Sequence, residues 1–229
     1  MTNKISVFLP TRKGSERVLN KNTRPFAGIT GGLLEIKLEQ LIRVTAIDEI
    51  VLSTNDPASI EVASHFKCAK LKVIERPDFL ALSTTNLQDL ITYVPSICSH
   101  DHILWTHVTS PFTNTDQYKK AIETYRSALK SRKYDSLMSG KWFQNFLWSP
   151  NKKEVINKES DLKWPRTQDL SKWFEVDSAI FLASKKIYIR MGDRIGHQPF
   201  LFAQSSIHSF DIDWEDDFKL AESIYQYGS

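Results

Sequence analysis

The chain has 229 residues, of which 41% are hydrophobic and 25% charged, and its formal net charge is +3 at pH 7. This composition is typical of a globular protein with enough apolar surface for a core. The 30 basic residues are scattered instead of forming an arm, so we expect no nucleic-acid partner. No apolar run is long enough to cross a membrane and none follows Met1 as a signal would, so we expect no membrane partner either.

The two cysteines, Cys68 and Cys98, lack CxxC spacing and neighbouring histidines, which excludes the usual zinc site. We interpret both as buried thiols. Free thiols are typical of a reducing compartment, so the sequence favours a cytoplasmic protein.

Short apolar strands alternate with amphipathic helical segments in the first half of the chain. The predicted strands are 5–9, 49–53, 71–74 and 103–108. Such alternation implies βαβ units and a mainly parallel sheet. We therefore predict an α/β fold in which residues 1–229 form one domain.

The periodicity is lost between residues 136 and 173, where the chain becomes aromatic and rich in lysine. Strand-like alternation resumes at 177–183, and Asp211-Ile212-Asp213 precedes a final helix. We interpret the stretch at about 138–174 as an excursion from the main sheet. Its aromatic side chains could stack a base, but a core or subunit contact is the favoured interpretation.

The loop after the first predicted strand, 10–22, combines basic side chains with a hydroxyl and a glycine. Arg12 offers a planar fork, Lys21 offers a mobile charge, and a bend after a strand can turn backbone N–H groups toward an anion. The spacing is neither that of a Walker A loop nor that of a dinucleotide fingerprint. Phosphate binding and a solvated basic turn both remain open on these residues alone.

The segment Leu9-Pro10-Thr11-Arg12-Lys13-Gly14-Ser15-Glu16-Arg17, with Lys21-Asn22, resembles the N-terminal signature of acylneuraminate cytidylyltransferases, the CMP-sialic acid synthetases. Other segments resemble this family's motifs in the same order along the chain. They are Ser53-Thr54-Asn55-Asp56, Arg76-Pro77 with Leu80-Ala81, Thr109-Ser110-Pro111, Pro165-Arg166, 177–181 and 211–213. The resemblance implies a Rossmann-like three-layer nucleotidyltransferase fold, with homodimerisation through the excursion.

The resemblance also implies a reaction in which CMP passes from CTP to the anomeric hydroxyl of a 2-keto sugar acid, and pyrophosphate is released. Sialic, legionaminic and pseudaminic acids are such nonulosonic acids. The protein must neutralise phosphate charge and position both partners. By the family pattern, Arg12 and Lys21 are catalytic groups on the triphosphate, Ser15 and Asn22 bind substrate, with Asn22 at the ribose, and Arg76 reads cytosine.

Asp211 and Asp213 lie two residues apart at what we predict to be a strand end, so both carboxylates point to the same side. Two hard oxygen ligands facing a triphosphate are typical of a Mg²⁺ site. An alternative is that Asp213 caps the following helix, with Asp216 three residues on. The family pattern favours Asp211 and Asp213 as metal ligands, with Asp213 catalytic.

The sugar half of the site departs from the family pattern. Arg166 is the candidate cation for the sugar carboxylate. Asp177 stands where the family usually has Asn, and as an acceptor it could meet hydroxyl or ammonium groups of a modified sugar. His107 replaces a common glutamine, and it could bind the sugar, accept the anomeric proton or be structural. The family motif TSPxR has an arginine two residues after its proline. In this chain Phe112 and Thr113 follow Pro111, so that arginine is absent.

Three alternative functions remain open. A CMP-Kdo-type synthetase would activate an eight-carbon acid, but that family has a different turn after its fourth strand. A glycosyltransferase could use 211–213 as a DxD motif, although such motifs are expected nearer the middle of the chain. A non-catalytic homologue would bind the nucleotide without turnover.

Overall fold

The computed structural model describes residues 4–228. Its strands are β1 (Ile5–Pro10), β2 (Glu49–Thr54), β3 (Leu71–Glu75), β4 (His102–Trp105), β5 (Ser136–Phe143), β6 (Trp148–Ser149), β7 (Glu154–Val155), β8 (Trp173–Ser184) and β9 (Pro199–Ala203). Its α-helices are α1 (Gly32–Ile42), α2 (Pro57–Ser64), α3 (Leu87–Ile97), α4 (Thr115–Ser131), α5 (Lys185–Met191) and α6 (Glu215–Tyr227). Among the described residues, no helix has both the length and the apolar character needed to cross a membrane.

Seven strands form one central sheet in the order β3-β2-β1-β4-β8-β5-β9. The pairs among β3, β2, β1 and β4 are parallel, as is the pair of β5 with β9. Strand β8 runs antiparallel to both of its neighbours, β4 and β5. The mainly parallel sheet predicted from the sequence is confirmed.

Strand β1 shows why the sheet is covered on both faces. Val7 and Leu9 belong to one buried apolar cluster, which also contains residues of α1, α4 and α6. Phe8 belongs to a second cluster, which contains residues of α3 and α5. Because successive side chains of a strand point to opposite faces, the near-continuous apolar run of β1 requires helices on both sides. The result is the three-layer α/β architecture that the sequence predicted.

Helix starts follow local capping chemistry. The side chains of Asp56, Asn86 and Asn114 accept backbone N–H groups at the starts of α2, α3 and α4. Such caps satisfy N–H groups that have no partner within the helix. They also fix the residue at which each loop ends, and therefore the length of the loop that precedes each helix.

Strands β5 and β9 are additions to the prediction. Residues 138–143 and 173–174, assigned to the predicted excursion, lie inside β5 and β8, which pair with each other in the central sheet. The excursion between β5 and β8 is therefore limited to 144–172, where β6 and β7 form a small antiparallel pair. This segment and its base carry four exposed tryptophans, which are Trp142, Trp148, Trp164 and Trp173.

The predicted strand end at Asp211 is wrong. Strand β9 ends at Ala203, and Asp211 to Asp213 lie outside the strands, where the Ile212 N–H donates to the Thr109 carbonyl at 2.9 Å. The capping alternative for Asp213 is also wrong, because α6 begins at Glu215 and the Asp217 carboxylate accepts the N–H groups of both Asp213 and Trp214.

Candidate active site

A cavity of about 410 Å³ opens beyond the carboxyl ends of β1 and β4. The loop after β1, the start of α3 and the segment after β4 form its walls. The predicted site residues in its lining are Arg12, Ser15, Lys21, Asn22, Arg76 and His107. The structure thus brings together six side chains from three loops, at the edge of the sheet where parallel α/β folds bind ligands.

The loop after β1 is held at its base and open at its tip. Its first residue beyond the strand, Thr11, donates its N–H to the Ser53 carbonyl of β2 at 3.0 Å. Gly14 then adopts a φ of 80°, a left-handed conformation that favours glycine. The backbone N–H groups of 14–17 donate to no described residue. Unused N–H groups beside Arg12 are donors that phosphate oxygens can accept.

Arg76 supports this loop from beneath. Its side chain is buried, and its Nη2 donates to the Thr11 carbonyl while its Nε has no partner. Burial, followed by the charge of Arg12, lowers the Arg76 pKa to about 10, so the guanidinium remains charged at neutral pH. Two arginines therefore face one cavity wall with no carboxylate within ion-pair distance of either among the described residues. That wall favours an anionic ligand.

Lys21 connects the loop to the acidic pair. Its Nζ donates to the Ile212 carbonyl at 2.6 Å, between the two aspartates. Burial lowers the Lys21 pKa, while the nearby charges of Asp211 and Asp213 oppose that shift. Asp213 itself pairs with Arg17, with 2.8 Å between Oδ1 and Nη2. The acidic pair therefore lies against the basic loop, although the two segments are about 190 residues apart in sequence.

Asp211 is the more buried of the two carboxylates. Burial raises its pKa, and a hydrogen bond with the Thr109 side chain opposes this shift. Its Oδ1 is buried without a hydrogen-bond partner. An unpartnered buried carboxylate oxygen beside this basic loop leaves a coordination position for a hard cation. Within residues 4–228 no group of three or more acidic, histidine or cysteine side chains forms a metal site, so these two aspartates could supply only part of a coordination shell.

His107 cannot be a general base in this arrangement. Its Nε2 accepts the indole N–H of Trp105 at 2.9 Å, and an indole can only donate. The proton of the neutral ring therefore lies on Nδ1. Burial, and then the positive charges of Arg194, Lys21 and other cations, lowers the His107 pKa to about 3. His107 is neutral at physiological pH and offers a hydrogen-bond donor.

The profile of the cytidylyltransferase family matches residues 6–228. The chain belongs to this family. It is therefore a nucleotidyltransferase, and the geometry above describes the cavity of a cytidylyltransferase.

Two curated proteins are similar to this cytidylyltransferase along nearly its whole length. The pseudaminic acid cytidylyltransferase of Campylobacter jejuni subsp. jejuni is 24% identical over 222 residues, which are 96% of this chain and 95% of that protein. The N-acylneuraminate cytidylyltransferase of Escherichia coli O18:K1:H7 is also 24% identical, over 99% of this chain but only 53% of that protein. The resemblance predicted from the sequence motifs is confirmed at the level of the family.

A solved structure shares the fold. It is a CMP:2-keto-3-deoxy-manno-octonic acid synthetase complexed with CTP, with a TM-score of 0.68 at 12% identity, covering 99% of this chain and 100% of that one. At this identity the likeness concerns the fold, which agrees with the predicted nucleotidyltransferase architecture.

Two predicted site residues of the cytidylyltransferase lie away from the cavity. Arg166 lies in the excursion with 72% of its side chain exposed, and its guanidinium forms a two-point ion pair with Asp169 at 2.7 and 2.9 Å. Asp177 is a buried residue of β8, and Ser139 and Gln204 donate to its carboxylate. Neither lines the cavity, and Asp211 and Asp213 do not line it either, but these two contact the lining residues Thr109 and Arg17.

The surroundings of Asp177 explain why the substrate-binding role predicted for it does not fit. The N–H of Ala179 also donates to its Oδ1, at 3.0 Å, so protein groups already engage both carboxylate oxygens. The next residue, Ser178, has a φ of 58°, and the β5–β8 register shifts between Met138 and Gly140. Asp177 therefore stabilises an irregular stretch of the β5–β8 pairing through these hydrogen bonds.

The cytidylyltransferase site also contains residues that the sequence did not single out for it. Thr109 binds Asp211, Arg17 pairs with Asp213, and Trp105 holds His107. Lys37 of α1 donates its Nζ to the carbonyls of Ser110 and Thr113 in the turn after β4. A lysine on the otherwise apolar face of α1 was the one available signal for this last contact.

Proposed function

We propose that the protein transfers CMP from CTP to the anomeric hydroxyl of a nonulosonic acid, and that it releases pyrophosphate. The observation that carries this proposal is the single cavity lined by Arg12, Lys21 and Arg76, next to the pair Asp211 and Asp213. Membership of the cytidylyltransferase family supports the nucleotide. The relatives that act on pseudaminic and N-acylneuraminic acids support the class of acceptor.

The loop after β1 supplies what a triphosphate needs. Arg12, Lys21 and the unused N–H groups of 14–17 can neutralise charge that moves toward the leaving pyrophosphate, in a site fixed before the substrate arrives. In-line transfer requires little covalent chemistry from the protein, so positioning and charge stabilisation account for most of the expected rate enhancement. Asn22, whose Nδ2 donates to the Arg12 carbonyl at 3.3 Å, holds the loop in this shape.

Mg²⁺ belongs to the proposal as the cofactor. The unpartnered Oδ1 of Asp211 and the hard carboxylate of Asp213 fit this ion, and Mg²⁺ ordinarily completes its coordination with water and phosphate oxygens. A bound ion would neutralise phosphate charge and orient the triphosphate. Asp213 also pairs with Arg17, so in this chain one side chain connects the basic loop to the metal position.

We further propose a cytoplasmic homodimer that forms through the excursion. Apolar side chains of 144–172 lie exposed, and Trp148 stacks on Trp164 with ring centroids 6.1 Å apart. Aromatic surfaces of this kind are enriched in subunit interfaces. Arg166 lies on the same segment, and its predicted role at the sugar carboxylate stays a prediction that depends on this assembly. Two free cysteines, Cys68 and Cys98, are consistent with a reducing compartment.

The activity is tested by pyrophosphate release with CTP, Mg²⁺ and a panel of pseudaminic, legionaminic, sialic and eight-carbon keto-deoxy acids. UTP and ATP replace CTP in control reactions. We expect release with at least one nonulosonic acid and CTP alone among the nucleotides. Release only with the eight-carbon acid would identify a CMP-Kdo-type enzyme, and calorimetric CTP binding without release from any acid would identify a non-catalytic homologue.

A further inference from the structure

Arg194 is a half-buried cation to which the proposed reaction assigns no role. It follows α5, and its guanidinium carbon lies 3.7 Å from the centroid of the Phe181 ring and 4.9 Å from that of the Trp105 ring. These two aromatic residues are direct cross-strand partners in β4 and β8. The rings cover the guanidinium and hold it in place through cation–π attraction, while the planar group keeps its N–H edge available.

No carboxylate of the described chain lies within ion-pair distance of Arg194, and its guanidinium makes no hydrogen bond within that chain. The adjacent Asp193 uses its Oδ1 to accept the N–H of Ile195 at 3.2 Å, within its own turn. Burial lowers the Arg194 pKa, which expresses the cost of keeping this charge partly out of water, and the nearby Tyr188 and Asp193 oppose that shift. A partly buried guanidinium without an ion-pair partner is ordinarily balanced by an anion.

The position of Arg194 connects it to the cavity. Trp105 lies under the guanidinium and also donates to His107, and both Trp105 and His107 line the cavity wall. The turn before Arg194 is fixed to α3, since Gln88 Nε2 donates to the Gly192 carbonyl at 2.5 Å, and the neighbouring Leu87 is itself part of the lining. Arg194 is not itself in the cavity lining, but its guanidinium lies against the Trp105 ring at the carboxyl end of β4, and its charge acts on His107. The groups predicted to bind the triphosphate come from the loop after β1.

We propose that Arg194, together with the Nδ1–H of His107, binds the carboxylate of the sugar acid and so determines that the acceptor is acidic. This inference rests on the proposed function. A guanidinium presents two parallel N–H groups that match the two oxygens of a carboxylate, and the imidazole adds a third donor. Arg194 is then a specificity-determining residue for the acceptor, and Arg12 and Lys21 serve the nucleotide. It would fill, within the described chain, the role that the family pattern gives to Arg166, whose guanidinium pairs with Asp169.

The test compares wild type with Arg194→Met, which removes the charge and keeps an unbranched side chain over Phe181. Arg190→Met is the matched control, because Arg190 is an exposed arginine of α5. Each protein is assayed with the best sugar acid and with the methyl ester of that acid, and the KM of CTP is measured in parallel. We expect Arg194→Met to raise the KM of the acid about 10- to 100-fold, with the KM of CTP and the thermal midpoint little changed.

The ester completes the comparison. Wild type and Arg190→Met should prefer the acid to the ester, and Arg194→Met should lose most of that preference. An unchanged KM for the acid, or an equal rise in the KM of CTP, would overturn the assignment. If Arg194→Met does not fold, Arg194→Lys decides the question, because it keeps the charge but loses the fork and should still raise the KM of the acid. A wild type inactive with every acid rejects the proposed function together with this inference, whereas an active wild type matched by Arg194→Met rejects the inference alone.

Discussion

Replacing Lys37 with methionine separates the stability of the fold from the geometry of the site. Lys37 is fully buried, and its Nζ lies 2.8 Å from the Ser110 carbonyl, 3.0 Å from the Thr113 carbonyl and 2.9 Å from the Tyr118 hydroxyl. Burial lowers the Lys37 pKa to about 7. The Tyr118 hydroxyl can donate to a neutral amine or accept from an ammonium, so the three contacts suit either protonation state.

The magnitude follows from linkage. Between pH 7 and pH 10.5 the unfolded chain holds a proton on Lys37 that the folded chain does not, so the wild-type free energy of unfolding falls as the pH is lowered across this range. Lys37→Met lacks this penalty. From pH 9.5 to pH 7 the stability of the variant relative to wild type should therefore rise by about 3 kcal/mol. Below about pH 6 both states of the wild type are protonated, and the difference should level off.

The activity of Lys37→Met should fall even at the pH values where its stability relative to wild type rises. The variant leaves the carbonyls of Ser110 and Thr113 without their donor, which loosens the turn that carries His107 and Thr109 into the cavity. A displacement near 1 Å costs on the order of 100-fold in rate, so we expect kcat/KM to fall about 10- to 100-fold.

Urea unfolding of wild type, Lys37→Met and the exposed-site control Lys120→Met at several pH values between 6 and 9.5 measures the stability effect, and pyrophosphate release measures activity. Lys120→Met should follow wild type throughout. A stability difference between Lys37→Met and wild type that does not vary with pH would refute the depressed pKa. Full activity in Lys37→Met would refute the positioning role.

Other substitutions test the remaining contacts. Lys21→Ala should lower kcat/KM at least 10-fold with little unfolding, because it removes a charge from the triphosphate position, and unchanged kcat/KM would exclude that role. Asp213→Asn should abolish the Mg²⁺ dependence of pyrophosphate release. It should cost at most ~1 kcal/mol in the free energy of unfolding by urea, since the ion pair of Asp213 with Arg17 is about half exposed. Marked unfolding of the variant with a normal Mg²⁺ response would contradict this prediction. Ser178→Gly should raise the free energy of unfolding by up to about 1 kcal/mol by relieving a left-handed φ of 58°, and a lower thermal midpoint would argue against this.

The sequence predicted the first half of the sheet well because β1, β2 and β4 are buried on both faces and read as near-continuous apolar runs. It missed β5 as a sheet strand because the alternation there is broken by Gly140 and by a register shift opposite the bulge at Ser178. A bulge changes which side chains face inward, and its position depends on pairing between strands that are distant in sequence.

The same reasoning explains which site residues were found. Arg12, Lys21 and Arg76 follow parallel strands, whose carboxyl ends share one edge, so their convergence follows from topology alone. Asp177 was assigned to the substrate because a motif gives the residue but not the direction of its side chain. Arg194 comes from a turn after α5, and only the packing of that turn against β4 and β8 brings its charge to the cavity.

The charge distribution also limits the chemistry of the proposed reaction. Burial and the charges of Arg194, Lys21, Lys37 and Arg76 keep His107 neutral, and Trp105 occupies its lone pair, so this imidazole cannot take the anomeric proton. Positive charge that disfavours an imidazolium also favours the ionised form of a hydroxyl bound nearby, because both effects have the same sign. Such a site would accelerate transfer by stabilising the attacking and leaving oxygens electrostatically, while the hydroxyl proton passes to solvent water instead of to a strong base close to the acceptor.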